Sequence, residues 1–330
     1  MELYEKNGNI LYILNTLKKY TDENHILPST EIQRKIIEDY GVEIDPRTIR
    51  RNINLLKYKL DYDISTRDEN GKGYYITNNP ETDFEPGEVR AIIDTFSYAN
   101  YIVPSIGKNI IKKCKNMQSI YENEKLQNYQ IYSNDTKTEN MEVIKNIEDI
   151  SEAIQKGMKI KFDYWKYDIS FNKLEKQIVS KPTVSPYALV YNKQEFYLVA
   201  IKEGQQDFYY YRLDRIRSLK QTDEKITIKK SSKEIKQFAK STVEMFGGEL
   251  VDIKAQCHNY LLDTVVDVFG KDISIIRLNK DYFEINVKAN QLGFKFWAMR
   301  NIDLVEVIEP VQLRKELIDI IENARKAYKD

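Results

Sequence analysis

Apolar side chains recur at helical spacing from about residue 9 to residue 20, where Ile10, Leu14 and Leu17 share a face and Lys18 and Lys19 lie outside it. A second amphipathic stretch opens at Pro28-Ser29-Thr30-Glu31. Ser29 is placed to cap its first turn, Ile32, Ile36 and Ile37 supply its buried stripe, and Gly41 ends it. The third begins at Asp45-Pro46, an N-cap followed by a proline at the first helical position, where a missing N–H costs nothing. Ile49, Ile53, Leu56 and Leu60 fall in one arc of this helix, while Arg47, Arg51, Asn54 and Tyr58 fall in the opposite arc with Arg50 and Lys57 on its flank. No acidic residue interrupts 47–60.

Beyond that helix, Asp63–Thr66 and Tyr74–Ile76 flank a Glu69-Asn70-Gly71-Lys72-Gly73 turn and predict a two-stranded hairpin. Three helices and a hairpin make a winged helix-turn-helix over residues 1–80. Thr77–Pro86 reads as a linker, Glu88–Lys125 as helical with a break near Pro104 and Gly107, and Asn128–Asn140 as a polar loop. From Ile150 the period changes. A short helix to Gly157 leads into alternating segments at Lys159–Trp165, Thr183–Tyr191, Glu195–Ile201 and Phe208–Leu213, which predict a small β-barrel or sandwich. The last hundred residues mix a helix at Asn259–Phe269, strands at Ile273–Leu278 and Tyr282–Lys288, and a helix from Pro310 to Tyr328, as an α+β domain would. Trp297 and Arg300 read as lying near the end of an apolar strand.

Composition narrows the function classes. With 330 residues the chain is long enough for several domains, and 51 basic against 51 acidic side chains leave no global field to attract a polyanion, so any such binding depends on local basic faces. Cys114 and Cys257, the two cysteines, make neither a disulfide framework nor a zinc spacing. The opening MELYEKNGN lacks the apolar core of a signal peptide, and no run approaches the roughly 20 apolar residues of a membrane span. The expectation is a cytoplasmic protein without metal or cofactor, from a bacterium with an AT-rich genome. Enzyme signatures are missing too: there is no GxxxxGK[ST], G-x-S-x-G, HExxH or G-x-G-x-x-G, and the adjacent Cys257-His258 does not by itself make a dyad. The chain is therefore expected not to be an enzyme.

One segment carries a family resemblance. Phe196-Tyr197-Leu198-Val199-Ala200 follows Ser185-Pro186-Tyr187-Ala188-Leu189 and precedes Tyr211-Arg212-Leu213-Asp214-Arg215-Ile216. In order and spacing, these three parts resemble the WYL domain of bacterial transcriptional regulators, with Phe196 in place of the name-giving Trp. Arg47-Thr48-Ile49-Arg50-Arg51 resembles the recognition element of their winged helix, with Asn52 where Asp is usual. Trp297 through Leu313 resembles their C-terminal extension, WCX. The resemblance implies a multidomain α+β chain: the winged helix-turn-helix (1–80), a helical connector (81–145), a small Sm/SH3-like barrel (WYL, 146–228) and the α+β extension (229–330). It further implies a homodimer that binds a double-stranded DNA operator, with a WYL domain sensing a single-stranded nucleic acid or nucleotide-like anion.

Each function has candidate residues. A helix fits the major groove, arginine pairs bidentately with guanine and asparagine with adenine, so Arg47, Arg51 and Asn54 are placed at base edges. Arg50, Lys57, Arg67 and Lys72 are assigned to phosphates, and Thr48 belongs to the same element. By resemblance, Tyr187, Tyr197, Arg212 and Arg215 surround the effector pocket, with Lys181 and Ser185 as additions. Arginines beside tyrosine faces suit phosphates and stacked bases. The plainer alternative has the two tyrosines packing and Arg215 pairing with Asp214 or Glu195. Packing is likewise the default for Trp297 and Leu313, with Arg300 considered as a reach toward a partner's pocket, and Lys108, Lys112, Lys113 and Lys115 read as solvated. An accessory protein that regulates a defence or repair enzyme by direct contact is the competing function.

Overall fold

In a computed structural model, three helices built on regularly spaced isoleucines open the chain: α1 (Glu2–Tyr20), α2 (Ser29–Tyr40) and α3 (Pro46–Lys59). The structure describes residues 2–77, 83–126, 137–170, 173–192, 194–241, 245 and 250–329, which fall into two units, Met1–Lys137 and Thr138–Asp330. Ile13, Leu17, Ile32, Ile36, Ile49, Ile53 and Leu56 form the core of the helical trio. Asp45 caps α3 as its sequence predicts, its Oδ1 accepting the Arg47 N–H at 2.7 Å with Pro46 at the first position. Three expectations need correction. Pro28 rather than Ser29 is the N-cap of α2, no side chain caps that end, and Ser29 is itself buried in the first turn. Ile37 and Leu60 are 45% and 54% exposed, because Ile37 lies about 100° round the helix from the buried Ile36 and Leu60 lies just past the end of α3.

The hairpin is present, but a helix interrupts it. Strands β1 (Ile64–Ser65) and β2 (Tyr75–Ile76) pair antiparallel, and between them the expected turn contains α4 (Arg67–Asn70). Thr66 and Glu69 form its capping box, and the Asn70 side-chain oxygen accepts the N–H groups of Lys72 and Gly73. Tyr74 and Leu27 exchange both backbone hydrogen bonds, at 2.8 and 3.0 Å, so the chain entering α2 lies against the wing. Gly73 permits this approach: a methyl group on it would stand 2.5 Å from the Leu27 carbonyl oxygen. The connector holds α5 (Pro86–Tyr98), α6 (Pro104–Lys115) and α7 (Ile120–Lys125). Its break falls just before Pro104, while Gly107 continues α6. Residues 78–82 of the expected linker and 128–136 of the expected loop lie outside the described residues.

In the second unit, α8 (Val143–Lys156) starts seven residues earlier than its predicted beginning at Ile150. Strands β3 (Met158–Ser170), β4 (Lys173–Ser180), β5 (Thr183–Asn192), β6 (Glu195–Lys202), β7 (Phe208–Arg212) and β8 (Ile216–Lys225) follow. They form a curled antiparallel sheet in the order β4-β3-β5-β6-β7, with β8 on β3. Neither β4 nor β8 is foreseen by the alternation: β8 runs RSLKQTDE with almost no apolar residue after Ile216. Both faces of β6 are buried in its middle, where Leu198, Val199 and Ala200 are all inaccessible; Val199 joins Ile201, Phe208 and Phe238 of α9 (Ser232–Ser241). Asn140, from the expected loop, is fully buried: its Nδ2 donates to the carbonyls of Asp214 and Ile216, and its Oδ1 accepts from Arg217 and the Glu142 N–H.

The chain ends in a β-α-β-β-α-β run: β9 (Leu250–His258), α10 (Leu262–Phe269), β10 (Ser274–Arg277), β11 (Tyr282–Asn290), α11 (Gln291–Arg300) and β12 (Val305–Glu309), then α12 (Val311–Ala327). The sheet order is β10-β11-β9-β12 and every pairing is antiparallel. Alternate residues Ile253, Ala255 and Cys257 of β9, with Phe283, Ile285 and Val287 of β11, point into a core shared with Phe294, Trp297, Leu313 and Leu317. Trp297 and Arg300 thus sit on a helix, not a strand; apolar Leu292 and Phe296 stand on its exposed face opposite the buried Phe294, Trp297 and Ala298, which hides the helical period in the sequence.

Candidate nucleic-acid interface and anion cleft

Helical spacing alone puts Arg47, Arg51 and Asn54 on one side of α3, and all three are exposed, as is Arg50. Salt bridges are distributed unevenly between this surface and the neighbouring helix. On α2, Arg34 bonds Glu31 and Glu38 and Lys35 bonds Glu38. On α3 and the wing, Arg47, Arg50, Arg51, Lys59, Arg67 and Lys72 are six exposed cations with no hydrogen bond or ion pair from their side chains among the described residues. Lys57 differs: its ammonium is half-buried and bound to Glu69 of α4, which holds that carboxyl down at about 2. Lys57 is a tie between helix and wing. Thr48 is half-buried, and its carbonyl accepts from Asn52 at 2.9 Å, so Asn in place of the usual Asp makes a bond within the helix.

The second cluster lies on the curled sheet. Tyr197 of β6 is the register partner of Arg212 of β7, and the turn Leu213–Arg215 carries Arg215 past the strand end. The three side chains line an open cleft of about 550 Å³ together with Tyr164, Lys166 and Tyr209. Arg212 is spoken for: its Nε and Nη2 donate to the two oxygens of Asp214 at 3.0 and 2.9 Å, and Nη2 donates to Glu195 at 2.6 Å. The plainer alternative is therefore correct about the carboxylates but wrong about the arginine. Arg215 makes no hydrogen bond or ion pair among the described residues, and neither does Lys166, an exposed β3 residue the sequence reading missed.

Protonation follows burial. The second oxygen of Glu195 is buried with no hydrogen-bond partner, and loss of hydration outweighs the Arg212 charge and pushes this carboxyl up to about 7. The same two carboxylates hold Arg212 firmly cationic despite its burial. Burial raises the phenols of Tyr164 and Tyr197 as well, and takes Tyr211 to about 12. Their hydroxyls stay protonated through the neutral range, so the cleft offers phenolic donors and ring faces beside the cation of Arg215.

Three effector candidates lie elsewhere. Lys181 pairs with Asp163 at 3.3 Å. Tyr187 packs edge-on against Phe208 and donates to the Ile228 carbonyl at 2.5 Å, with the buried Ser185 beside its hydroxyl. Among other residues singled out, Lys108, Lys112 and Lys113 are exposed on α6 and Lys115 is half-buried. Strand alternation separates Cys257 from His258: burial pushes the thiol up to about 12 on the core side, and the imidazole stands on the opposite face. Among the described residues no helix is long and apolar enough to cross a membrane, and no group of three or more His, Cys, Asp or Glu side chains is placed to hold a metal.

Residues 145–221 match the family model of the WYL domain, in agreement with the tripartite motif. No curated protein matches the chain. Two solved structures are similar at 14% identity. Proteasome accessory factor B/C (PafBC) of Arthrobacter aurescens aligns over 99% of this chain with a TM-score of 0.28, and this chain spans about half (49%) of its length. A CRISPR Cas-related protein aligns over 95% of this chain and 98% of its own, with a TM-score of 0.37.

Proposed function

We propose that this protein is a ligand-responsive DNA-binding transcriptional regulator whose WYL domain senses a nucleic-acid or nucleotide-like anion. The observation that carries the DNA half is the set of six exposed, unpaired cations on α3 and the wing, in a chain whose charges balance overall. Arg47, Arg51 and Asn54 read base edges, while Arg50, Arg67 and Lys72 hold phosphates. The effector half rests on the cleft, where Arg215 and Lys166 are the cations open to an anion, the rings of Tyr197 and Tyr209 offer stacking faces, and Arg212 orients the site through Asp214 and Glu195. The regulator acts as a homodimer, and effector binding changes the affinity of its paired DNA-binding units for half-sites about one helical turn, or a multiple of it, apart.

Fluorescence anisotropy with duplex from upstream of the protein's own gene, against scrambled duplex, tests this reading. Preferential binding that is lost in Arg47→Ala plus Arg51→Ala, and altered by short oligonucleotides in wild type but not in Arg215→Ala, supports it. Equal, salt-sensitive binding to both duplexes, together with a stoichiometric enzyme partner on purification, replaces it with the accessory-protein reading.

A further inference from the structure

Side chains of α10, α11 and α12 join the core on one face of the C-terminal sheet. Taking β9, β10, β11 and β12 as strands one to four, the order is 4-1-3-2, with α10 and α11 as the two crossovers. Strand alternation buries Cys257 and Phe283 and thereby turns the register partners His258 and Tyr282 onto the opposite face, on the two central strands. Tyr260, just beyond β9, joins them. The His258 ring lies 4.7 Å from that of Tyr260 and meets the ring of Tyr282 edge-on at 5.2 Å.

These rings are held in place by the backbone. The His258 N–H donates to the Leu304 carbonyl at 2.9 Å, the Tyr260 N–H donates to His258 Nδ1 at 3.3 Å, and the Tyr282 N–H donates to Asn279 Oδ1 at 3.0 Å. Yet Tyr260 is 84% and Tyr282 37% exposed. Water-facing rings fixed this way gain nothing for the fold from their exposed faces. Beside them on the same face stand Gln256 and Asn286, amides that can both donate and accept; Glu284 is matched by Lys254 at 3.2 Å and Glu306 by Arg314 at 2.7 Å, while Asp252 and its register partner Lys288 are both exposed further along the strands. The exposed Lys280, two residues before Tyr282, has no side-chain partner among the described residues.

We infer that this face is a second nucleic-acid site, separate from the winged helix and the WYL cleft, on which His258, Tyr260 and Tyr282 stack the unpaired bases of a single strand. Exposed aromatic rings on the central strands of a four-stranded antiparallel sheet are the means by which such sheets take up bases. A face on which acidic and basic side chains nearly balance gains its affinity from stacking rather than from phosphates. Its binding therefore weakens only slightly with salt, unlike duplex binding at α3.

The test uses full-length protein and an eight-nucleotide single strand carrying 5-iodouracil, cross-linked by light and mapped by mass spectrometry, with affinities from anisotropy. Cross-links to the peptides holding Tyr260 or Tyr282 are expected, with affinity falling about fivefold to a hundredfold per ring in Tyr260→Ala and Tyr282→Ala and recovering in Tyr260→Trp. Arg215→Ala leaves these cross-links in place, which separates this site from the cleft. Cross-links confined to the cleft or the winged helix, or unchanged affinity in the double alanine variant with its melting temperature preserved, overturn the inference.

Discussion

Asp214 grips Arg212 through both of its carboxylate oxygens, at 3.0 Å to Nε and 2.9 Å to Nη2, and so fills the fork that an anionic ligand would otherwise use. The two arginines of the same short motif consequently divide the work. Removing Arg212 strands Glu195 and Asp214 as neighbouring, half-dehydrated carboxylates, so Arg212→Ala is expected to lower stability by about 3 kcal/mol in urea denaturation. Arg215→Ala should leave stability within about 0.5 kcal/mol of wild type and abolish effector response.

Glu195 gives the WYL domain a pH dependence of its own. The folded state keeps its proton to about pH 7, whereas an ordinary glutamate releases it near 4.5. The stabilisation from holding that proton is complete below about 4.5 and is lost as pH rises to 7, with an upper bound of about 3 kcal/mol. Glu195→Gln, which cannot titrate, is expected to gain on wild type across that window and run parallel to it above. Paired denaturation series at pH 4.5, 6 and 7.5 check the direction.

Two pairs of cations at the DNA surface are expected to fail differently. Arg47→Ala plus Arg51→Ala should cost about 1–3 kcal/mol per lost base contact and erase preference between duplexes. Arg67→Ala plus Lys72→Ala should weaken all duplexes alike and reduce the slope of log K against log salt by about 2. Anisotropy titrations at four salt concentrations distinguish the two patterns.

Asn140 supports the turn that carries Arg215. Truncation to alanine leaves the carbonyls of Asp214 and Ile216 short of a donor in a dry interior, although Asn146 still reaches the latter. A loss of about 2–4 kcal/mol is expected for Asn140→Ala, with duplex binding unchanged at temperatures where the variant is folded. Thermal melts together with anisotropy test both halves.

Gly73→Ala is expected to destabilise the winged unit by about 1–3 kcal/mol, since the added methyl meets backbone atoms of Leu27 and Pro28 that cannot swing aside. Hydrogen exchange should show early opening of the Leu27–Tyr74 pairing.

What was readable in advance followed local signals. Asp45-Pro46 and the isoleucine stripe located α3 closely, and the three-part motif located the WYL domain, because caps, periodicity and motif order are written within a few residues. Strand β8 escaped notice since its side chains face water on both sides after Ile216, leaving no alternation to detect. Asn140 does lie in a loop, but polarity alone does not reveal a buried amide whose partners lie more than seventy residues away. Lys166 in the cleft, and the choice of Arg212 over Arg215 as the paired arginine, depend on how a three-residue turn and a long bent strand meet, which spacing in one sequence does not encode.

The bond from Lys57 to Glu69 has a consequence for measurement along DNA. It ties α3 to α4, so that, if the proposed function holds, the helix offered to a groove and the segment offered to the neighbouring backbone shift together when a duplex of unusual groove width is met. On the proposed function the pair would serve as a gauge of groove geometry, favouring sequences whose local shape suits the spacing of α3 and α4 before any base edge is read.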